Sequence, residues 1–132
     1  MSTRSNICKK LPDGTIKHIY CHFDGYPEGN GKTLKEHYTD EAKVDALLEL
    51  GDLSVLGPEI GEKQDFNDRS THNENWCLAY GRDRGETNIE AGIARNIHDI
   101  PHQEFTYIFE RVHQENKQLF EQFKQIKNSP KK

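Results

Sequence analysis

A hairpin signal near the start of the chain constrains the fold more than any other feature. Two runs that suit β-strands, 7–10 and 15–21, lie on either side of the tetrapeptide 11–14, which reads Leu-Pro-Asp-Gly. An Asp-Gly pair between two such runs is typical of a tight turn that joins antiparallel strands. The sequence therefore predicts that the fold opens with an antiparallel β-hairpin that turns at Asp13 and Gly14.

The position of the turn also predicts the register of this hairpin. With the turn at the Asp-Gly pair, Leu11 pairs with Ile16, and Ile7 pairs with Tyr20, so one face of the hairpin is apolar. The opposite face then carries Cys8, Ile19 and Cys21. Both cysteines on that face are interpreted as small core residues.

The middle of the chain contains helix and strand patterns separated by a polar stretch. Residues 33–38 and 40–50 are predicted to be helices, because apolar residues recur at spacings of three and four and the second helix begins with acidic residues. Residues 62–75 are polar throughout and predict a surface loop. The apolar segments 76–80 and 89–93 predict two further strands.

The C-terminal part changes its hydrophobic period. Residues 105–109 alternate with period two, whereas the apolar positions that follow recur at spacings of four and three. This change predicts a strand that passes into a helix over about residues 111–127, and the alternative is a helix along the whole segment from Gln103. The helix packs either on its own sheet or on a second copy. Residues 128–132 are expected to form a frayed tail.

These elements together predict an α+β fold in a single domain, residues 1–132. The sheet is expected to be antiparallel and Greek-key-like, with four or five strands decorated by helices and with a C-terminal helix. Residues 1–100 would form the β core, and residues 101–127 an extension suited to oligomerisation. A chain of 132 residues matches the size of one typical domain.

Composition limits the class of protein. Hydrophobic residues make up only 33% of the chain, so a homo-oligomer that completes its burial by self-association is predicted. A net charge of −4 argues against general binding to DNA or to a membrane surface, since such proteins carry basic surfaces. The three cysteines lack metal-ligand spacing and the N-terminus lacks an apolar signal core, which predicts a reducing cytosol and no membrane insertion.

The loop that follows the hairpin, His22 to Lys32, is the first candidate binding site. Its three glycines alternate with aromatic and charged residues. Glycines let backbone N–H groups approach a ligand, and a helix start directs unpaired N–H donors and partial positive charge outward. The loop therefore predicts an anion site, most naturally for phosphate, with Lys32 as a further donor. The alternative is a plain connection between a strand and a helix.

A second glycine-framed loop, residues 81–88, carries two arginines. Arg82 and Arg84 are expected to point the same way from an extended loop and to form bidentate bonds with a diphosphate. The alternative is a solvated turn with local ion pairs. The aromatic residues that would stack on a purine are Phe23, Tyr26, Trp76 and Tyr80. For the last two, a place in the core is the alternative.

Catalytic and metal-site patterns are weak. Of the seven histidines, His98 and His102 are separated by Pro101, which makes a two-histidine helical face improbable, so no metal and no cofactor are predicted. A small phosphodiesterase or nucleotide hydrolase that uses His22 as general base with Asp24 as its partner is one alternative function. A non-enzymatic interaction module whose loops bind another protein is another.

Five segments resemble a known family. They are 19–27 (IYCHFDGYP), 31–32 (GK), 36–38 (EHY), 50–54 (LGDLS) and 80–86 (YGRDRGE). In these segments the chain is similar to small phage proteins of the anti-Thoeris sponge family, the first described type of Thoeris anti-defence protein. The resemblance implies a protein of the host cytoplasm that binds, without cleaving it, the cyclic ADP-ribose isomer made by bacterial immune enzymes with TIR domains.

The resemblance further implies an antiparallel β core decorated with helices, a dimer or higher oligomer, and a separate site for cyclic oligonucleotides. A cyclic ADP-ribose needs a stacking ring, groups that bind hydroxyls and arginines for its diphosphate. Tyr26, Asp24 with Asn88, and the two arginines supply one of each. No catalytic residue is predicted. The predicted ligand-binding residues are His22, Asp24, Gly25, Tyr26, Lys32, Arg82, Asp83, Arg84, Asn88 and Arg111.

Overall fold

The computed structural model describes residues 2–112 and 117–126 of the chain. It confirms the α+β class, with both helices and a β-sheet. The strands are β1 (Ser5–Lys10), β2 (Ile16–Cys21), β3 (Leu53–Val55), β4 (Leu78–Ala79), β5 (Gly92–Ala94), β6 (Phe105–Val112) and β7 (Lys117–Ile126). The α-helices are α1 (Lys32–His37), α2 (Glu41–Glu49) and α3 (Tyr80–Arg84), with a π-helical turn at Pro27–Gly31 and 3-10 turns at Arg69–Thr71 and Ile97–Asp99.

The sheet is mixed, so the expectation of an antiparallel sheet is confirmed only in part. The strand order is β4-β3-β2-β1-β6-β7, and β5 pairs with β2 beside this path. The pairs β1–β2, β2–β5, β3–β4 and β6–β7 are antiparallel, whereas β1–β6 and β2–β3 are parallel. The two parallel pairs are possible because long connections carry the chain back before β3 and before β6.

The predicted hairpin is present, but its register differs by one residue from the prediction. Ile7 pairs with Ile19, not with Tyr20. The turn is longer than two residues, because the N–H of Leu11 donates to the carbonyl oxygen of Thr15 at 2.8 Å. A shift of one residue moves side chains to the other face of a sheet. Tyr20 therefore lies on the face of the sheet opposite the one that carries Ile7.

One face of the sheet is covered by α1 and α2. Both helices begin and end within one residue of the prediction, and the apolar stripe of α2 is buried. The core on this face contains the helix residues Leu34, Val44, Leu47 and Leu48 together with Ile7, Ile19, Cys21, Leu53 and Tyr107 from the sheet. The interpretation of Cys8 and Cys21 as core residues is confirmed, since both are fully buried.

The described residues cover the opposite face of the sheet only in part. A second, smaller cluster of buried residues lies at one end of this face and consists of Cys8, Ile16, Ala94, Ile100 and Ile108. The segment that carries Ala94 and Ile100 covers that end. At the other end of the same face, Tyr20 and His22 are half-buried. This end is where the polar and aromatic side chains of interest meet.

The predicted C-terminal helix at 111–127 is wrong. Residues 105–112 form β6, and residues 117–126 form β7, which pairs with β6 in antiparallel orientation. The apolar spacing misled the prediction because residues four apart share a face in a strand as well as in a helix. The predicted tail at 128–132 lies outside the described residues.

The connections between these elements mostly follow the predictions. The polar stretch 62–75 is a loop with a single 3-10 turn, as expected. The strand predicted at 76–80 is shorter than expected, as β4, and the strand predicted at 89–93 is both shorter and displaced, as β5. Among the described residues, no helix has the length and apolar character needed to span a membrane.

Candidate functional site

Several backbone N–H groups of the glycine loop from His22 to Lys32 form hydrogen bonds within the protein. The N–H of Gly25 donates to the carbonyl oxygen of Thr3 at 2.8 Å, and the N–H of Asn30 donates to that of Asp24 at 2.7 Å. The π-helical turn at Pro27–Gly31 runs directly into α1, so the helix does not begin with a free turn. The N–H groups of Gly25 and Asn30 are therefore not available to an anion at this helix start.

The glycines of this loop are required by packing. A Cβ added to Gly25 would lie 2.8 Å from both the Ser5 Cβ and the Thr3 carbonyl oxygen, and one added to Gly31 would lie 3.2 Å from the Tyr107 ring. The hydroxyl of Tyr107 donates to the carbonyl oxygen of Gly25 at 2.8 Å. Close approach to the protein's own core accounts for these glycines.

Three predicted site residues of this loop, Asp24, Tyr26 and Lys32, are exposed. The Tyr26 hydroxyl donates to Asp24 Oδ1 at 3.2 Å. His22 does not pair with Asp24; its Nδ1 lies 2.6 Å from the hydroxyl of Tyr20. The structure therefore does not contain the base-and-carboxylate pair on which the hydrolase alternative depended.

The second loop is not extended, because residues 80–84 form the short helix α3. Gly85 ends this helix with a φ of 80°, the left-handed conformation that glycine favours at a helix C-terminus. Successive residues of a helix point in different directions, so Arg82 and Arg84 diverge. The expectation that both arginines point the same way is therefore wrong.

Arg82 and Asp83 form an internal network. The Asp83 carboxylate is buried and accepts hydrogen bonds from the N–H groups of Gln64 at 2.8 Å and Ala79 at 2.7 Å. The Arg82 guanidinium donates to Asp83 Oδ1 from Nε at 2.9 Å. Its Nη1 donates to the Ile60 carbonyl oxygen at 2.9 Å, and its Nη2 to that of Cys77 at 2.8 Å. These contacts join the polar loop 62–75 to β4 and α3.

Arg84 points outward and lies over two aromatic rings. Its guanidinium carbon is 4.7 Å from the centre of the Phe66 ring and 5.5 Å from that of Tyr80. The two rings lie 5.5 Å apart with their planes inclined by 30°. Arg84 also forms an ion pair with Glu86. An arginine over half-exposed rings is an arrangement that suits flat, π-bonded ligands.

A second ring cluster surrounds His22. The His22 ring contacts the Phe23 ring edge-on, with 4.5 Å between centroids, and the Tyr20 ring is 5.9 Å away. All three side chains are half-buried. Tyr20 and His22 are two residues apart along the chain and therefore share one face of the sheet.

Asp52 connects the two ring clusters. Its Oδ1 accepts a hydrogen bond from the N–H of Tyr20 at 3.0 Å, and its carbonyl oxygen accepts one from the N–H of Tyr80 at 3.3 Å. Burial raises the pKa of the Asp52 carboxyl, although the Tyr20 N–H and the nearby His18 oppose the shift. Burial also lowers the pKa of the His18 imidazole. Shifts of this kind are frequent at functional sites.

We name this surface the aromatic strip; its members are Phe23, His22, Tyr20, Tyr80, Phe66 and Arg84. Of these, His22 and Arg84 were predicted as site residues, while Tyr20, Phe66 and the neighbouring Asp52 were missed. Phe66 is a lone aromatic in a polar loop, and that isolation was the signal available in the sequence. Asn88 is exposed with a φ of 62°, and Arg111 lies outside the described side chains.

The strip carries no evident metal site. Among the described residues, no group of three or more histidine, cysteine, aspartate or glutamate side chains is placed to hold a metal ion. The strip instead offers ring faces, one exposed guanidinium and hydrogen-bonding groups. Comparison with protein-family descriptions, curated protein sequences and solved structures found no match for this chain.

Proposed function

We propose that this protein binds a nucleotide of the cyclic ADP-ribose type on the aromatic strip and holds it without cleaving it. In this role it would act as a phage anti-defence protein that sequesters an immune signal, as its resemblance to the anti-Thoeris sponges implies. The observation that carries the proposal is the placement of Arg84 over the rings of Phe66 and Tyr80. The alternating ring and polar groups of the strip match the alternating base, ribose and phosphate groups of such a ligand.

The adenine is placed on the Phe66 ring beside Arg84. Stacking of a base on an aromatic side chain contributes about 1–3 kcal/mol and needs no match to a particular hydrogen-bonding edge. The cation over the same ring adds an electrostatic attraction for the base. Phe66 lies in the polar loop 62–75, whose position is fixed by the Asp83 network.

The proposed contacts add Phe66 to the predicted set and omit three of its residues. Arg82, Asp83 and Gly25 are left out, because their polar groups are used within the protein. His22, Arg84, Asp24, Tyr26, Lys32 and Asn88 keep their places as proposed contacts. The predicted homo-oligomer also stays a prediction, and light scattering on the purified protein would measure its mass.

The contacts of His22 favour sequestration of the ligand over its hydrolysis. Its Nδ1 is engaged by the Tyr20 hydroxyl at 2.6 Å, and Asp24 is engaged by Tyr26. A general base needs a partner that orients it toward the proton it removes. Because Asp24 does not provide this orientation, sequestration explains the arrangement better than hydrolysis.

Depletion and recovery of the nucleotide test the proposal. The protein is incubated with the cyclic ADP-ribose isomer, the free nucleotide is measured, and the complex is then heat-denatured and chromatographed. We expect the free nucleotide to fall and the intact molecule to reappear after denaturation. A linear product would overturn sequestration, and undiminished free nucleotide would overturn binding.

Two variants connect binding to the aromatic strip. We expect Phe66→Ala and Arg84→Ala each to weaken nucleotide binding about tenfold or more, corresponding to the loss of a stacking contact. The matched control is Arg95→Ala, which removes a positive charge from an exposed position without a contact to the strip. Calorimetric titration would measure the affinities, and equal affinities in all three variants would exclude this surface.

A further inference from the structure

Arg4 lies opposite His22 at the end of the β1–β2 ladder. In this ladder Ser5 pairs with Cys21, and Asn6 pairs with Tyr20. Continuing the same register by one residue brings Arg4 opposite His22, on the face that carries Tyr20. On its other edge, toward β3, the strand pairing of β2 also continues to residue 22, since the N–H of His22 donates to the carbonyl oxygen of Leu53 at 3.0 Å. Directly opposed residues have Cβ atoms about 4.5–5.5 Å apart.

Tyr20 forms a hydrogen bond with one of the two ring nitrogens of His22, since its hydroxyl lies 2.6 Å from Nδ1. In a neutral imidazole one ring nitrogen is an N–H donor and the other an acceptor. If the hydroxyl donates this bond, the proton of the imidazole is on Nε2. Among the residues whose side chains are described, Nε2 has no hydrogen-bond partner. In that tautomer His22 presents an N–H donor at the open end of the strip.

The two ends of the aromatic strip differ in charge. Arg84 at one end is paired with Glu86. Arg4 at the other end is exposed, and no carboxylate of residues 2–110 lies within ion-pair distance of its guanidinium. Glu104 contacts the backbone of Arg4, since its Oε1 accepts the N–H of Arg4 at 2.9 Å. The end formed by Arg4 and His22 is thus the less neutralised of the two.

We infer that this end is a phosphate subsite, in which the guanidinium of Arg4 and the Nε2–H of His22 hold a phosphate group of the bound nucleotide. Tyr20 is its positioning residue, because it fixes the tautomer of His22. The inference rests on the proposed function and deepens it, since it sets the direction of the ligand: phosphate at Arg4 and His22, base at Phe66 and Arg84. Guanidinium groups bind phosphate in bidentate fashion, and the histidine donor adds a further charge-assisted bond.

The tautomer is tested on the free protein. Long-range proton–nitrogen NMR of the imidazole distinguishes the Nε2–H from the Nδ1–H form. We expect the Nε2–H form for His22 in the unmodified protein and a mixture in Tyr20→Phe. An Nδ1–H form in the unmodified protein would overturn the positioning role of Tyr20.

The phosphate subsite is tested with inorganic pyrophosphate as the probe. We expect pyrophosphate to shift the His22 ring signals, and Arg4→Gln to weaken this binding about tenfold, as the loss of a charge-assisted contact requires. Arg95→Gln, an equal charge change at another exposed position, should leave the binding unchanged. Unmoved His22 signals, or equal weakening by both variants, would overturn the subsite.

Failure of the subsite is distinguishable from failure of the proposed function. If the cyclic nucleotide is sequestered with unchanged affinity by Arg4→Gln and Tyr20→Phe, the proposed function stands and the subsite is overturned. If pyrophosphate binds through Arg4 and His22 while no nucleotide is depleted, the subsite stands and the function is overturned. Should Tyr20→Phe not fold, Arg4→Gln still decides the subsite, because Arg4 is exposed.

Discussion

The two glycine-framed loops look alike in sequence and are stabilised in different ways. The loop from His22 to Lys32 is held by backbone hydrogen bonds and by glycines that pack against the core. The loop at 81–88 is held by the side chains of Arg82 and Asp83, which bind backbone groups of distant segments. The first loop is stabilised by glycines, which have no side chain and therefore allow close packing. The second loop is stabilised by a charge pair between Arg82 and the buried Asp83.

This difference shows what glycine and arginine patterns can and cannot indicate. Glycine marks a place where backbone approaches something closely, but the neighbour is as often the protein as a ligand. A pair of arginines two residues apart marks two charges, but only the local backbone decides whether both face outward. Here a single turn of helix directs Arg82 inward and Arg84 to the surface.

The sharpest test of the comparison is Asp83→Ala. The substitution removes the acceptor for two backbone N–H groups and leaves the Arg82 guanidinium without its carboxylate. Removing one partner of a buried ion pair lowers the free energy of unfolding by about 3–5 kcal/mol. We expect the free energy of unfolding in urea to fall by that amount. Asp65→Ala, which removes an exposed carboxylate of the adjoining loop, is the control, and equal losses would mean that the network does not hold this region.

The second test exchanges a glycine in each loop. In Gly25→Ala the new Cβ meets Ser5 and the Thr3 carbonyl oxygen, and such overpacking costs about 1–3 kcal/mol. In Gly85→Ala the Cβ enters open space, so only the left-handed φ of 80° opposes it, at about 1–2 kcal/mol. Thermal denaturation of both variants measures the losses. A smaller loss for Gly25→Ala would contradict the packing role of the first loop.

A third test removes one hydroxyl from the first loop's support. Tyr107→Phe deletes the hydrogen bond to the Gly25 carbonyl oxygen while keeping the ring against Gly31. We expect a loss of about 1 kcal/mol, the usual net contribution of one hydrogen bond. Tyr26→Phe is the matched control, because the Tyr26 ring is exposed and its hydroxyl donates to the exposed Asp24. Indistinguishable urea midpoints for the two variants would disprove the anchoring role of Tyr107.

The smallest effect is expected between the loops, at Asp52. Burial raises the pKa of its carboxyl in the folded protein, so ionisation of this group opposes folding. Wild type should therefore lose stability relative to Asp52→Asn as the pH rises through the unfolded pKa of about 3.9 and on through the raised folded pKa, and then remain constant. Urea unfolding of both proteins at a series of pH values, from about pH 3 upward, measures this difference, because an ordinary aspartate carboxyl is largely protonated at the start of that series. A difference that shrinks as the pH rises would show the opposite sign.

The fold was predictable where local patterns decide it. The Asp-Gly signal located the hairpin, and helical spacing located α1 and α2, because turns and short helices depend on neighbouring residues. The parallel pairing of β1 with β6 was not predictable, since it joins residues that are far apart along the chain. The pattern that suggested a C-terminal helix fits a strand equally well over four-residue intervals.

The candidate site was not predicted because the predicted register of β1 and β2 was wrong by one residue. Pairing Ile7 with Tyr20 places the tyrosine in the core, whereas the observed pairing with Ile19 brings Tyr20 to the open face beside His22. The length of the turn decides between these registers, and a Pro-Asp-Gly sequence allows both. Phe66 was unpredictable for a different reason, because its contact with Tyr80 depends on how the polar loop folds back on α3.

The position of β1 in the middle of the sheet sets the order of events during synthesis. Its neighbour β2 leaves the ribosome at once, but Phe105, which pairs with Ser5, is made about 100 residues later. At roughly 5–20 residues per second this is a delay of about 5–20 s, during which one edge of the hairpin has no partner. The sheet cannot close around its central strand until β6 has been made, so β1 depends on a strand that lies about 100 residues further along the chain to cover its open edge.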